Sequence, residues 1–278
     1  IREADVPVTF SIDGVRKESR LVRVAPGQEA VCSAALSVEG AGFHWVTAEI
    51  PADDLVADNV RNGAFEAREK RKAVLLSGVS AGGTDRPTAF LEWALAPDPA
   101  GSAWQVTVLD PAGMSELPDC DALFVFDAAG AGPGLAGAIE RFVRGGGGAA
   151  FLPGDGVDAA AFNRDFEGEW EGLLGCRLRE VVAADPDAPM RLSPEDPAGF
   201  LSFLPKGRDD LSRVLVWKRW EIDPRADTDL RAAVRFADGA PALLTRSVGK
   251  GEVWVWTGGI TPSWCNLPAR PMFVPWAH

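Results

Sequence analysis

The chain has 278 residues, of which 46% are hydrophobic and 24% are charged, a balance typical of a globular protein with a sizeable core. Because this length exceeds that of most single domains, two domains are expected. The formal net charge of -12 disfavours nucleic acid and anionic membranes as partners, since both are polyanions. No apolar run approaches the roughly 20 residues that a membrane-spanning helix needs.

The first part of the chain has the pattern of a small β domain. Apolar residues alternate with other residues at Val6, Val8, Phe10 and Ile12, which predicts a half-buried strand. The Asp13-Gly14 pair that follows favours a hairpin turn, because glycine tolerates positive φ. Further strands are predicted over residues 21–24, 30–38 and 43–50. Strands at this spacing, without a helical stretch, predict an Ig-like β-sandwich over residues 1–68.

From residue 69 the pattern changes to buried strands that alternate with helices. Continuous apolar runs predict strands at residues 72–77, 104–109, 122–126 and 149–152. Helices are predicted between them, one starting near Thr84 and Pro87 and one spanning residues 135–143. Four later strands are predicted at residues 214–217, 232–236, 242–245 and 252–256. This order predicts an α/β domain over residues 69–278, with a doubly wound, mostly parallel sheet extended by antiparallel strands.

The carboxyl ends of these strands define a possible ligand cleft, because open α/β sheets bind ligands there. The residues at these positions are Ser77, Gly78, Asp110, Asp127, Gly154 and Asp155. Carboxylates at one sheet edge can carry out acid–base chemistry or hold a metal. Asp is also a common turn and helix-capping residue after a strand, and this alternative explains each carboxylate separately.

Two other features of the sequence are candidate sites, a run of glycines and the four cysteines. The run of residues 145–148 is all glycine, but it follows a helix and precedes a strand, so it favours a helix end over a phosphate-binding loop. The cysteines are widely spaced, without a CxxC pair, at Cys32, Cys120, Cys176 and Cys265. They predict no zinc site, and they leave open one long-range disulfide or isolated thiols. No cofactor and no metal is expected.

The α/β part resembles the class I glutamine amidotransferase-like fold. In those enzymes a Gly-x-Cys-x-Gly elbow, which carries the nucleophilic cysteine, follows the strand that corresponds to residues 149–152. Here the elbow reads Leu152-Pro153-Gly154-Asp155-Gly156, which puts Gly154 at the nucleophile position. The only histidines of the sequence, His44 and His278, match no family partner. The resemblance therefore implies an amidotransferase-like domain without the catalytic cysteine, and amidotransferase activity is not expected.

The whole chain is also similar to the region after the von Willebrand-type domain of bacterial aerotolerance-operon (Bat-type) membrane proteins. The similarity is carried by residues 40–50, 54–55, 58–59, 74–76, 142–147, 264–268 and 273–275. The chain ends in Trp276-Ala277-His278, where the family usually has Leu-Leu-His-Glu. The resemblance implies a periplasmic location, tethered to the inner membrane by segments outside this sequence. The opening at Ile1-Arg2-Glu3 likewise predicts a piece of a longer protein.

The sequence supports two functional hypotheses. The first is a non-catalytic interaction or scaffold module of a membrane-anchored envelope protein, which binds a protein partner or a cell-envelope component and no nucleic acid. The alternative is a hydrolase or carbohydrate-acting enzyme that uses Asp127 and Asp155. That chemistry requires the two carboxyl groups to lie about 5–10 Å apart, so the geometry of the cleft discriminates the hypotheses.

Overall fold

The computed structural model describes residues 3–53, 55–78, 86–98, 101–126, 132–167, 172–193, 211–226 and 228–278. By its internal contacts the chain divides into two compact units, Ile1–Lys70 and Arg71–His278. None of the helices in the described ranges combines the length and the apolarity needed to cross a bilayer.

The first unit contains one antiparallel sheet with the strand order β2-β1-β3-β4. Its strands are β1 (Ala4–Ile12), β2 (Val15–Val24), β3 (Gly42–Glu49) and β4 (Val60–Ala67). The β1–β2 hairpin turns at Asp13 and Gly14, whose φ angles of 51° and 78° suit the tight turn that the sequence predicts. The Asp13 carboxylate accepts hydrogen bonds from the Trp45 amide (3.0 Å) and from His44 Nδ1 (2.5 Å), so the turn is fastened to β3.

The described part of this unit differs from the predicted two-sheet Ig-like sandwich. Residues 30–38, predicted as the third strand, form no ladder with any described strand. A second sheet needs at least two paired strands, but residues 30–38 provide only one candidate strand for it in the described part of this unit. Strand β4 was not predicted, because its sequence contains Asn62 and Gly63 and lacks clear alternation; pairing with β3 defines it.

The second unit is a mixed α/β domain around a seven-stranded sheet with the order β13-β14-β15-β8-β7-β5-β6. The strands of this sheet are β5 (Arg71–Leu76), β6 (Trp104–Leu109), β7 (Ala122–Val125), β8 (Gly148–Phe151), β13 (Arg231–Arg235), β14 (Pro241–Val248) and β15 (Gly251–Trp256). The five strands from β6 to β15 run parallel to one another, and β14 and β13 are antiparallel additions.

Smaller elements complete the second unit. The helices are α1 (Ala89–Leu95), α2 (Gly132–Arg144), α3 (Ala159–Phe166) and α4 (Phe273–Ala277). Two antiparallel pairs are formed by β9 (Cys176–Ala183) with β12 (Lys218–Pro224), and by β10 (Met190–Arg191) with β11 (Leu215–Val216). Thr84, the predicted start of the first helix, lies outside the described residues, and α1 begins after Thr88.

The core of the second unit lies on both faces of the sheet. Ala73 and Leu75 of β5 belong to one apolar cluster, whereas Val74 and Leu76 belong to another. The first cluster includes residues of α1 and α4, and the second includes residues of α2, α3, β9 and β12. Strands covered on both faces explain why this part of the sequence shows continuous apolar runs instead of alternation.

Candidate functional site

A cavity of about 640 Å³ lies beyond the carboxyl ends of β7 and β8. Its lining comes from the segments that follow β7, β8 and β15, together with one residue before α1. The lining residues are Pro87, Phe126, Leu152, Gly154, Asp155, Gly156, Ile260, Thr261, Pro262 and Ser263. The cavity therefore occupies the position where open α/β sheets bind ligands.

The loop from β8 to α3 forms one wall of this cavity. The Leu152 amide still bonds to the Val125 carbonyl (2.7 Å), which continues the parallel ladder by one residue. Pro153 then ends the ladder because it has no N–H. The Asp158 carboxylate accepts a hydrogen bond from the Ala161 amide (2.7 Å) and caps α3. Gly154 and Asp155 are thus held in a short turn between a buried strand and a capped helix.

Asp155 makes an ion pair that bridges distant parts of the second unit. The Lys218 ammonium group, at the start of β12, donates a hydrogen bond of 2.8 Å to Asp155 Oδ1. Partial burial raises the pKa of the Asp155 carboxyl, but the donors of Lys218, Trp264 and Ser263 and the Lys218 charge outweigh this effect and lower the pKa overall. Asp155 is therefore ionised at neutral pH and is poorly suited to act as a general acid.

The aromatic residues behind this ion pair hold the lysine in place. The Lys218 ammonium lies 5.7 Å from the ring centroid of Trp264, a cation–π contact. Trp264 is fully buried and stacks on Trp220, with the ring centroids 6.4 Å apart. The Trp264 indole N–H lowers the pKa of the Asp155 carboxyl, although it makes no hydrogen bond of normal geometry to a described residue.

The other predicted site residues do not join Asp155. The Ser77 residue is buried, and its amide bonds to the Leu109 carbonyl (3.0 Å), while Gly78 is exposed after β5. Asp110 accepts a hydrogen bond from the Ala112 amide (2.9 Å), which is the local turn chemistry that the sequence left open. Asp127 lies outside the described residues.

The strand order explains why Asp110 and Asp155 are apart. Asp110 follows β6, the edge strand, and three strand spacings separate β6 from β8. Neighbouring strands lie about 4.8 Å apart, so the two strand ends are separated by about 14 Å. This exceeds the separation at which two carboxyl groups cooperate in glycoside hydrolysis. Among the described residues of the predicted set, Gly154 and Asp155 line the cavity.

The cysteines and histidines form no catalytic pair in the described part of the chain. All four cysteines are free thiols, so the disulfide alternative is not realised. Burial raises the pKa of Cys176 and Cys265 to about 12 and that of Cys120 to about 11, which suppresses the reactive thiolate. His278 Nδ1 accepts a hydrogen bond from Trp104 Nε1 (3.2 Å) and His278 Nε2 bonds to the Ala94 carbonyl (3.1 Å), so neither ring nitrogen is bonded to a thiol.

Three residues beside the cleft escaped sequence reasoning. Lys218 is 63 residues away from Asp155 in the chain, and nothing local marks it as a partner. Thr261 and Ser263 follow β15, and their hydroxyl groups bond to each other (3.0 Å). Because ligands bind at the carboxyl ends of the strands, Thr261 and Ser263 become candidates once β15 is known to lie beside β8. The hairpin predicted from the sequence for β14 and β15 is confirmed, but the sequence did not indicate that β15 also pairs with β8.

Comparisons with known proteins support the fold and provide no information about activity. No protein-family model and no curated protein matches the chain. Similar solved structures include the cytoplasmic protein STM1381 from Salmonella typhimurium LT2, with 13% identity over 74% of this chain and 93% of that one and a TM-score of 0.52. The cytoplasmic protein STM3548 from Salmonella typhimurium has 12% identity, coverages of 73% and 94%, and a TM-score of 0.53.

A weaker likeness is to the β-galactosidase from Bacillus circulans sp. alkalophilus, with 16% identity over 69% of this chain and 29% of that one. Its TM-score of 0.45 is too low to support an argument. The two Salmonella structures show that the chain has a mixed α/β fold found in other bacterial proteins. At 12–13% identity they show nothing about its activity.

Proposed function

We propose that the chain is a non-catalytic interaction module of a membrane-anchored bacterial envelope protein, which binds a protein partner or another envelope component. The observation that carries this proposal is the set of side chains that line the cleft. The carboxylate that lines it, Asp155, is ion-paired with Lys218, and Gly154 stands where a nucleophile would be needed. Among the described residues that line the cleft there is no cysteine and no histidine, so the cleft can hold a ligand but has no Cys–His pair to start an amidotransferase reaction.

On this proposal the second unit is a class I glutamine amidotransferase-like domain with a doubly wound sheet, and the chain belongs to the periplasmic part of a Bat-type protein. The support is the run of five parallel strands and the β8–loop–α3 order around Gly154. Gly154 is not among the residues with positive φ, so this loop lacks the strained elbow on which such folds expose a nucleophile.

The first unit offers a surface suited to a partner. Phe43 and Trp45 of β3 are 83% and 54% exposed. Strand pairing places Val60 of β4 on the same face, opposite Glu49, and Val60 is also exposed. Exposed aromatic residues on a sheet face that also carries an exposed aliphatic residue are typical of interaction surfaces. We call this group, Phe43, Trp45 and Val60, the aromatic face.

The proposal is tested by separating binding from turnover. The double substitution Phe43→Ser and Trp45→Ser should reduce binding of the chain to the envelope fraction of the host bacterium by about tenfold or more, since buried aromatics dominate interface energies. Trp93→Ser is the matched control, because Trp93 is an equally exposed tryptophan in the second unit. Asp155→Asn should leave this binding unchanged.

Turnover assays complete the test. The proposal expects no hydrolysis of glutamine or of chromogenic glycosides by the chain. Saturable hydrolysis that Asp155→Asn abolishes would establish the hydrolase alternative and refute the non-catalytic role. Equal loss of envelope binding in the Phe43/Trp45 variant and in the Trp93 variant would show that the aromatic face is not the binding surface.

A further inference from the structure

Residues 30–38 of the first unit, here called the extended segment, have the side-chain pattern of a strand. The side chains at Cys32, Ala34, Leu36 and Val38 are half-buried, and those between them are exposed. Val31, for example, is 92% exposed. This strict alternation is the period of a β-strand with one face toward a core. The segment thus has the side-chain arrangement of a strand but no neighbouring strand among the described residues.

The backbone of the extended segment is unpaired within the described residues. None of its amides or carbonyls makes a backbone hydrogen bond to another described residue. One hydrogen bond reaches it from the sheet, where the Arg20 guanidinium donates to the Ser33 carbonyl (2.5 Å). Arg20 lies opposite Val8, on the half-buried face of the sheet. The segment is therefore anchored over that face while its own ladder positions stay open.

The first unit also lacks the core that a domain of this size needs. Ile12 is the one apolar side chain described as buried in this unit. A unit of about 70 residues with so little burial is marginal unless something else covers it. An unpaired extended backbone is a template for a further strand, and strand addition would supply both backbone hydrogen bonds and apolar cover.

We infer that the extended segment is the acceptor for a β-strand supplied by a partner protein. The inference rests on the proposed function and names the form of one partner. The added strand would pair with residues 30–38 and bring apolar side chains at alternate positions onto the half-buried face. Binding by strand addition obtains affinity from main-chain hydrogen bonds and specificity from the alternating side chains.

Charge at the ends of the segment argues against a second copy of this chain as the occupant. Glu29 and Glu39 flank the segment and are both exposed. In antiparallel self-pairing centred on Ala34, each Glu29 would face a Glu39, and in parallel pairing each glutamate would lie beside its own copy. Like charges directly opposite destabilise a strand pair. The complementary partner strand carries lysine or arginine at its two ends.

Hydrogen exchange on the whole chain tests this inference. The probe is a synthetic peptide of alternating valine and threonine, matched in length to the segment, with a lysine at each end. Amides of residues 31–37 should exchange rapidly in the free chain, and every second one should become protected when the peptide is added, because alternate N–H groups of a strand point to opposite edges. Of Ala34→Pro and Ala35→Pro, one removes a donor on the paired edge, and that variant should weaken peptide binding by about tenfold or more. Ala52→Pro is the control at another exposed alanine.

The charge of the peptide ends provides a second arm. Glu29→Lys with Glu39→Lys should reverse the preference, so that a glutamate-ended peptide binds about tenfold better than the lysine-ended one. Glu3→Lys with Glu69→Lys makes the same charge change outside the segment and should not reverse it. Equal binding of both peptides to the native chain, or no effect of either Ala34→Pro or Ala35→Pro, would refute the inference.

The remaining outcomes identify other occupants. Protection of residues 31–37 in the free chain at every concentration would show that the chain covers its own segment, and protection that rises with protein concentration would show a second copy; either result overturns the inference. Because these readouts use a peptide and no envelope fraction, they can fail while the Phe43/Trp45 experiment succeeds. Failure of the inference is thus distinguishable from failure of the proposed function.

Discussion

The two units of this chain use β-sheets in different ways. In the first unit a four-stranded sheet buries one apolar side chain, Ile12, whereas in the second unit a seven-stranded sheet carries apolar clusters on both faces. The sequence reflects the difference, since alternation marks the first sheet and continuous apolar runs mark the second. The second unit therefore buries enough apolar surface to be stable as a domain, whereas the first unit buries little and depends more on what covers its sheet.

The largest expected effect tests this difference in burial. Phe151→Ala removes a fully buried ring that contacts Phe162 and Phe166, and should destabilise the second unit by about 3–5 kcal/mol. Phe43→Ala, at an exposed phenylalanine of the first unit, should change stability by no more than about 0.5 kcal/mol. Urea unfolding of both variants measures the change in the free energy of unfolding. Similar losses would mean that Phe43 is buried in solution.

A second prediction concerns Glu167, which is fully buried in the second unit. Its Oε1 accepts hydrogen bonds from the amides of Leu174 and Gly175, but burial dominates and raises the pKa of the carboxyl. A raised pKa means that the folded state holds the proton more tightly than the unfolded state. The associated stability is complete below pH 4.5, the ordinary value for glutamate, and is lost as the pH rises through the folded-state pKa.

Glu167→Gln should therefore flatten the decline in stability of the second unit on going from pH 4.5 to neutral pH. Glutamine keeps a carbonyl oxygen for the two amides and cannot ionise. Urea midpoints measured over this pH range provide the comparison, with Glu140→Gln, at a partly exposed glutamate paired with Arg144, as the control. An unchanged pH dependence in Glu167→Gln would contradict the assignment.

The first unit should respond to pH with the opposite sign. The hydrogen bond from His44, followed by that from the Trp45 amide, lowers the pKa of Asp13. A lowered pKa contributes stability that is present above the ordinary value of 3.8 and is lost as the pH falls through the folded-state value. Asp13→Asn should remove this acid-side loss, as followed by the NMR signals of Trp45. Asp5→Asn, paired with Arg23 on the surface, should keep it.

The smallest expected effect is at the cleft. Asp155 is 60% exposed at its side chain, so its pair with Lys218 should contribute less than about 1 kcal/mol to stability and should weaken with salt. Lys218→Met should raise the pKa of Asp155, because the main group that lowers it is removed. A double-mutant cycle with Asp155→Asn measures the coupling. A coupling of several kcal/mol would indicate that the pair is a structural element of the second unit.

The strands of the second unit were predictable where burial on both faces produces an unbroken apolar run, as in β5 and β7. The β9–β12 pair was missed, because neither strand contains a continuous apolar run and the two strands are defined by pairing with each other. In the first unit, residues 30–38 have the composition of a strand, yet their ladder depends on a neighbour that no local pattern supplies.

Gly154 and Asp155 were predicted as cleft residues because they follow a strand that the sequence marks clearly. Lys218 and Ser263 were not, since their proximity to Asp155 depends on which strands lie side by side. Asp110 was grouped with Asp155 for the same reason, because the sequence does not tell that β6 is an edge strand three positions from β8.

By itself, the amino-acid sequence determined the buried strands of the second unit, the turn at Asp13-Gly14, and that Gly154 and Asp155 follow β8. These properties depend on side chains a few residues apart. Only the tertiary structure decided the order of the strands, the pairing of Asp155 with Lys218 and the open backbone of residues 30–38. Contacts between distant residues arise from the packing of whole elements, so no local pattern encodes them.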